Sequence, residues 1–324
     1  LIIRENSTKG KILGFSAFHF IKLTELYREF KNTQVTEHIR EVASGKILII
    51  DGIYINQENT HSDLEQILIT ETLAHGLEED LTYAVYHNIL TNVDSKQIHE
   101  ILDLQGFIKL PVDNQGHDVY GVDMRKTVSL MLNVKSFLKE PFNKNERIMS
   151  VANETRKRLQ KSLTTLYPGS LVLTFNNAML HHKLTKKICE ANNVSNMPYD
   201  KRNLGELMCV PFGNFLQGKI VPNTVTKSLH TEKMFFPDLS GFKIGEYPNY
   251  PALIDQIKTI KSFDRSVILV DDLLHKGYRI KAIEPLFRKE NIIIQKTIVG
   301  ILSGRGKEIM DVKGRDVDGA YFIP

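Results

Sequence analysis

Unbroken apolar runs, alternating runs and helically spaced runs divide this chain into a readable series of elements. Ser266-Val-Ile-Leu-Val270 carries β-prone residues with no alternation, the pattern of a strand buried on both faces in a parallel sheet. Ser170–Phe175 and Asn291–Ile301 have the same character, and Ala320–Pro324 reads as a closing strand. Gly10–Ile21 alternates with aromatic residues, and Lys46–Asn56 is a second strand in which Gly52 suggests a bulge. Helical spacing marks Glu146–Leu166, through Ile148, Val151, Ala152, Leu159 and Leu163, and Pro168-Gly169 ends it. A helix from Ser62 opens on a Ser62/Glu65 capping box. It is followed by a strand over Leu81–His87, a helix over Lys96–Leu104, a Gln105-Gly-Phe turn, and strands at Ile108–Leu110 and His117–Met124. Further helices are predicted over Leu180–Ala191 and Tyr278–Lys289. Strands and helices interleave throughout, so the fold class is α/β.

A chain of 324 residues exceeds the comfortable size of one core, which predicts two domains. Pro141 and the asparagines of Pro141-Phe-Asn-Lys-Asn145 interrupt the pattern, placing the domains at 1–138 and 146–324. Charge divides in the same way. Residues 1–140 carry 14 Lys and Arg against 20 Asp and Glu, and residues 141–324 carry 28 against 18. The basic half suits a small anionic, phosphorylated ligand. Nucleic acid is disfavoured, because basic stretches interleaved with aromatics are absent. No apolar run approaches the roughly 18 residues that span a bilayer, and no secretory signal pattern opens the chain. Cys189 and Cys209 lack metal or redox spacing, consistent with reduced thiols and a cytoplasmic setting. The chain starts at Leu1 rather than Met, so a further domain upstream is expected to be missing; a homodimer is also left open.

The chemistry concentrates where the run Ser266–Val270 meets Asp271-Asp272 and then Leu-Leu-His275-Lys276-Gly277-Tyr278-Arg279. Ligands of open α/β sheets bind at the carboxyl ends of strands. Paired carboxylates there can hold a diol or a hard cation such as Mg2+. The basic, glycine-containing turn opens a helix whose N-terminus can receive phosphate. Diol and phosphate together describe a ribose 5-phosphate; capping of the next helix by the two acids is the plainer alternative.

This stretch resembles the fingerprint of the type I phosphoribosyltransferases, in which a buried strand ends in Asp-Asp and a Thr-Gly-Gly-Thr-like loop follows. Here Lys276-Gly277-Tyr278-Arg279 stands in the loop and retains only its glycine. The resemblance, over about residues 150–324, implies a parallel-sheet domain that binds phosphoribosyl pyrophosphate (PRPP) with Mg2+ and transfers the phosphoribosyl group. Asp271 and Asp272 would hold the ribose hydroxyls and metal, and His275–Arg279 the 5-phosphate. Asn176 and Asn177 would grip pyrophosphate after the first strand, unless they form a plain capped turn. Lys219 and Lys227 lie where that family has a mobile hood, and Arg305 follows the next strand.

The N-terminal order of strand, strand, helix, strand, helix-Gly-Phe, strand, strand looks like the GNAT acetyltransferases. That resemblance implies a wedge between Asp51–Asn56 and Leu81–His87 that admits acetyl-CoA, with Asp51 and His87 as candidate bases. The family's glycine-rich pyrophosphate loop falls on Gln57–Ser62, which has no glycine, and its tyrosine acid falls on Leu102. Three functions are therefore expected to compete: phosphoribosyl transfer, acetyl transfer, and ligand sensing without chemistry.

Overall fold

The computed structural model describes residues 1–5, 9–56, 58, 63–130, 138, 140–197, 203–213, 216 and 221–324. The chain divides into two compact units, Leu1–Asn177 with Pro324, and Ala178–Ile323. Among the described residues, no helix is long and apolar enough to cross a membrane.

The first unit runs β1 (Ile2–Arg4), β2 (Ile12–Lys22), α1 (Leu26–Phe30), α2 (Thr33–Val42), β3 (Lys46–Ile55), α3 (Leu64–Glu78) and β4 (Tyr83–His87). It continues with α4 (Ser95–Leu104), β5 (Ile108–Leu110), β6 (Val119–Leu130), α5 (Glu146–Leu166) and β7 (Ser170–Thr174). The strands form one mixed sheet in the order β1-β2-β3-β4-β6-β5, with β7 also paired to β6. Ile47, Leu48, Ile49 and Ile50 of β3 are fully buried, which explains why that stretch lacks alternation. Each such side chain contributes about 2 kcal/mol of transfer free energy. The bulge expected at Gly52 is present: Ala17 pairs with Gly52 and Phe18 with Ile50, so Asp51 has no cross-strand partner. Two helices, α1 and α2, occupy the segment between β2 and β3, where the sequence reading has none. Asn32 caps α2 by accepting from the Val35 amide at 3.2 Å.

The division between units falls later than the expected boundary near residues 138–146. Helix α5 lies against α4 through Lys157–Glu100 at 2.8 Å and Lys161–Asp103 at 2.5 Å. Strand β7, expected to open the parallel sheet of the second unit, instead pairs in parallel with β6 of the first. Its Val172 amide also bonds the Gln105 carbonyl at 3.0 Å. An apolar strand without alternation is suited to burial in any sheet, and its sequence carries no record of which one receives it.

After β7 come α6 (Asn177–Ala191), β8 (Met208–Pro211), β9 (Val225–Thr226), β10 (Thr231–Phe235), β11 (Phe242–Glu246) and α7 (Leu253–Lys261). The chain ends with β12 (Val267–Leu274), α8 (Tyr278–Lys289), β13 (Ile294–Ser303), α9 (Gly304–Val312) and β14 (Val317–Ile323). Strands β10 and β11 form a separate antiparallel pair. The other five make a sheet in the order β14-β13-β12-β8-β9, with every pairing parallel. Val267–Val270 of β12 are fully buried at its centre. The chain builds outward from β8 to β9, then returns to β12 and builds the other way. The order therefore reverses between β8 and β12, the position at which open parallel sheets leave a crevice at the strands' carboxyl ends.

Candidate functional site

Asp271 and Asp272 lie at that reversal, inside β12 rather than after it, because the strand runs four residues beyond the apolar core to Leu274. Asp271 is buried, at 4% exposure. Its Oδ1 accepts from the Asp272 amide at 2.9 Å and from the Arg279 guanidinium. Burial pushes the Asp271 carboxyl well above its ordinary range, even with that cation against it. Asp272 is half-exposed, 3.8 Å from the same guanidinium, and its Oδ1 accepts from the Leu273 amide at 2.8 Å. Arg279 also lies 5.3 Å over the Phe212 ring, just past β8.

Arg279, expected on the 5-phosphate, is folded by the first turn of α8 onto Asp271, where a buried acid draws the nearest cation. His275 Nδ1 meets Ser303 Oγ at 2.9 Å. That hydroxyl donates to the Leu274 carbonyl and accepts from the Gly306 amide, capping α9. Gly277 stands at the N-cap of α8 with φ 62°, a left-handed conformation that favours glycine. Lys276 is exposed, and Tyr278 packs edge-on against Phe242 at 5.2 Å. The α8 N-terminus therefore presents amides and Lys276, while Arg279 is engaged with Asp271.

Arg305 is exposed in the first turn of α9. Lys227 is exposed beyond β9, with its amide on the Cys209 carbonyl at 3.0 Å. Lys219 lies outside the described residues. Asn176 and Asn177 close the first unit, so the structure assigns them to a different unit from Asp271.

In the first unit, Asp51 and His87 are both part of a row that the sequence reading identified only at two points. His19 of β2 meets Asp51 through Nδ1 at 3.0 Å and Glu29 of α1 through Nε2 at 3.6 Å. Glu29 stands 3.6 Å from His87 Nδ1, and His87 Nε2 lies 3.0 Å from Asp113 Oδ2. The same oxygen meets His117 Nδ1 at 2.8 Å. Asp113 Oδ1 accepts from the Gln115 and His117 amides at 2.8 and 2.7 Å. Acid and imidazole alternate along this row, and each shifts its neighbours. Bonds to Asp51 and then Glu29 push His19 up to about 10. His19 and then His87 hold Glu29 down to about 2. Burial opposes charge on His87 and Asp113, yet their partners overcome it, raising the imidazole and lowering the carboxyl. The Asp113/His117 spacing within an Asn- and Gly-containing loop is the only local sign of the row in the sequence.

The strand edges expected to admit acetyl-CoA are taken up by the chain itself. Strands β3 and β4 pair only through Leu48–Ile50. Beyond that, Ile89 and Leu90 donate to the Asp51 carbonyl and Asn92 to that of Ile53. The Ile53 amide bonds Thr91 Oγ1 at 3.2 Å, and the Asn92 side chain bonds both backbone groups of Ile55. Ser62 of the expected capping box, and Gln57 and Asn59–Ser62 of the expected pyrophosphate loop, lie outside the described residues. Leu102, at the tyrosine position, is fully buried.

No protein-family model matches the chain, and no curated protein matches it. Among solved structures it is similar to a mutant agmatine N-acetyltransferase in its apo form, at 10% identity and a TM-score of 0.27, over 36% of this chain and 70% of that one. It is also similar to the adenine phosphoribosyltransferase of Thermoanaerobacter pseudethanolicus, at 11% identity and a TM-score of 0.26, over 44% of this chain and 80% of that one. Scores this low transfer neither a fold nor an activity to the chain.

Proposed function

We propose that the unit Ala178–Ile323 binds PRPP or a related ribose phosphate at the carboxyl ends of β8 and β12, and transfers the phosphoribosyl group to an acceptor. The observation that carries this reading is the acid pair Asp271–Asp272 at the order reversal of an all-parallel sheet, followed at once by left-handed Gly277 and the α8 N-terminus. The ribose hydroxyls bond the two carboxylates, and the 5-phosphate sits on the α8 amides and Lys276. A phosphate arriving there offers Arg279 a stronger anionic partner than Asp271, and the exchange frees Asp271 for the diol. The Mg2+ that accompanies PRPP fits Asp272, whose half-exposed carboxylate can meet a hydrated ion. Rate enhancement comes from positioning and from neutralising the departing pyrophosphate.

The Arg279–Asp271 pair favours a second reading, in which the unit binds the same ligand as a sensor without turnover. Calorimetric titration with PRPP and Mg2+, paired with an assay for pyrophosphate release across candidate bases and amines, tests both. Saturable heat that disappears in the Asp271→Asn/Asp272→Asn double variant, with its circular dichroism unchanged, is expected. Binding without release selects the sensor. Absence of saturable heat in the unmodified chain overturns both.

A further inference from the structure

The row in the first unit takes no part in ribose-phosphate binding, and its geometry has a use of its own. We propose that His87, Asp113 and His117 form a binding site for a divalent cation of the zinc class. His87 Nε2 and His117 Nδ1 converge on one oxygen, Asp113 Oδ2, at 3.0 and 2.8 Å. The donor atoms of the three residues all lie within 4.8 Å of one another. Ligands of a tetrahedral zinc ion stand about 3.3 Å apart, so small side-chain shifts admit the ion. Two imidazoles and one carboxylate are the donor set of a three-ligand zinc site that keeps a fourth position for water. His117, with its side chain 32% exposed, leaves that position facing solvent.

What distinguishes the trio from a surface cluster is the support behind each ligand. Asp113 is held by two backbone amides on the oxygen that would not bind metal. His87 is 2% exposed, and its Nδ1 has no hydrogen-bond partner but faces Glu29 Oε1 at 3.6 Å. A metal-binding imidazole commonly directs its other N–H at a carboxylate, which sets its tautomer and strengthens it as a ligand. Glu29 is placed for this and is steadied in turn by His19. The neighbouring group of His19, Glu29 and Asp51 lacks this form. It has one imidazole, whose two nitrogens face different carboxylates, so His19 bridges them rather than joining either in a common ion.

The test is to strip the full chain with chelator and titrate it with Co2+ and then Zn2+. Stoichiometry, the Co2+ ligand-field spectrum, proton release and the thermal midpoint are followed together. One equivalent per chain, a low-symmetry Co2+ spectrum, released protons and a raised midpoint are expected. His117→Ala should lower affinity by about 100-fold or more, and Glu29→Gln by about 10-fold, as befits a positioning residue. His75→Gln, at a half-buried histidine on α3 outside the row, should leave the metal affinity unchanged. Absence of saturable binding, or equal affinity in a folded His117→Ala chain, overturns the proposal. Should His117→Ala unfold, equal affinity in a folded Glu29→Gln chain overturns it instead.

Discussion

Arg279 donates to the buried carboxylate of Asp271 across eight residues that leave β12, turn at Gly277 and enter α8. The pair ties the carboxyl end of β12 to the first turn of α8. It also sets how the unit responds when either partner is lost.

Arg279→Met should destabilise the chain by about 3 kcal/mol near neutral pH, because a buried carboxylate is left without its cation. The raised pKa of Asp271 gives the sign of the pH dependence. An acid whose folded pKa lies above its unfolded value contributes stability below the unfolded value, and that stability is lost as pH rises through the folded pKa. Removing Arg279 enlarges the loss. Urea unfolding of both chains should therefore show a deficit that shrinks as pH falls toward the ordinary carboxylate range; a constant deficit would count against the pairing.

Gly52→Ala tests the closed strand edge. Its φ is 150°, and an added Cβ would stand 2.6 Å from Thr91 Oγ1 and 2.8 Å from the Leu90 carbonyl carbon. Backbone contact and strain together should cost about 2–3 kcal/mol, read from the unfolding midpoint. Faster hydrogen exchange at Ile89, Leu90 and Asn92, whose amides bond β3, should accompany the loss. A variant as stable as the parent would show that segment 89–92 does not hold this edge.

His19→Gln tests the ion pairing at the outer end of the row. A histidine raised to about 10 contributes stability that is present in full below its unfolded value and is lost as pH rises through about 10. The difference between parent and variant should be greatest in mildly acidic solution and fade in alkaline solution. Because the His19 side chain is 39% exposed, solvent screening limits the maximum to about 1 kcal/mol. A difference that grows with rising pH would refute the assigned partners.

The sequence carried those features that depend on a few neighbouring residues. Helix α5 occupies the predicted Glu146–Leu166, and α8 the predicted Tyr278–Lys289, since helical spacing and end signals act within a few turns. The bulge at Gly52 and the central strand before Asp271 were legible for the same reason. Helices α1 and α2 were not read; α1 is five residues long and too short to show a period.

Tertiary structure decided the rest. Strand β7 joined β6 because hydrogen bonding to Gln105 and packing under α5 were available there, and an apolar run contains no address. Arg279 chose Asp271 because burial makes an uncompensated carboxylate costly, a fact invisible until the strand is covered. His19, Glu29, Asp51, His87, Asp113 and His117 come from β2, α1, β3, β4 and the β5–β6 loop. Their charges and shared protons exist only once those elements meet, so the sequence by itself determined the elements and their local caps, and the fold determined which chemistry they share.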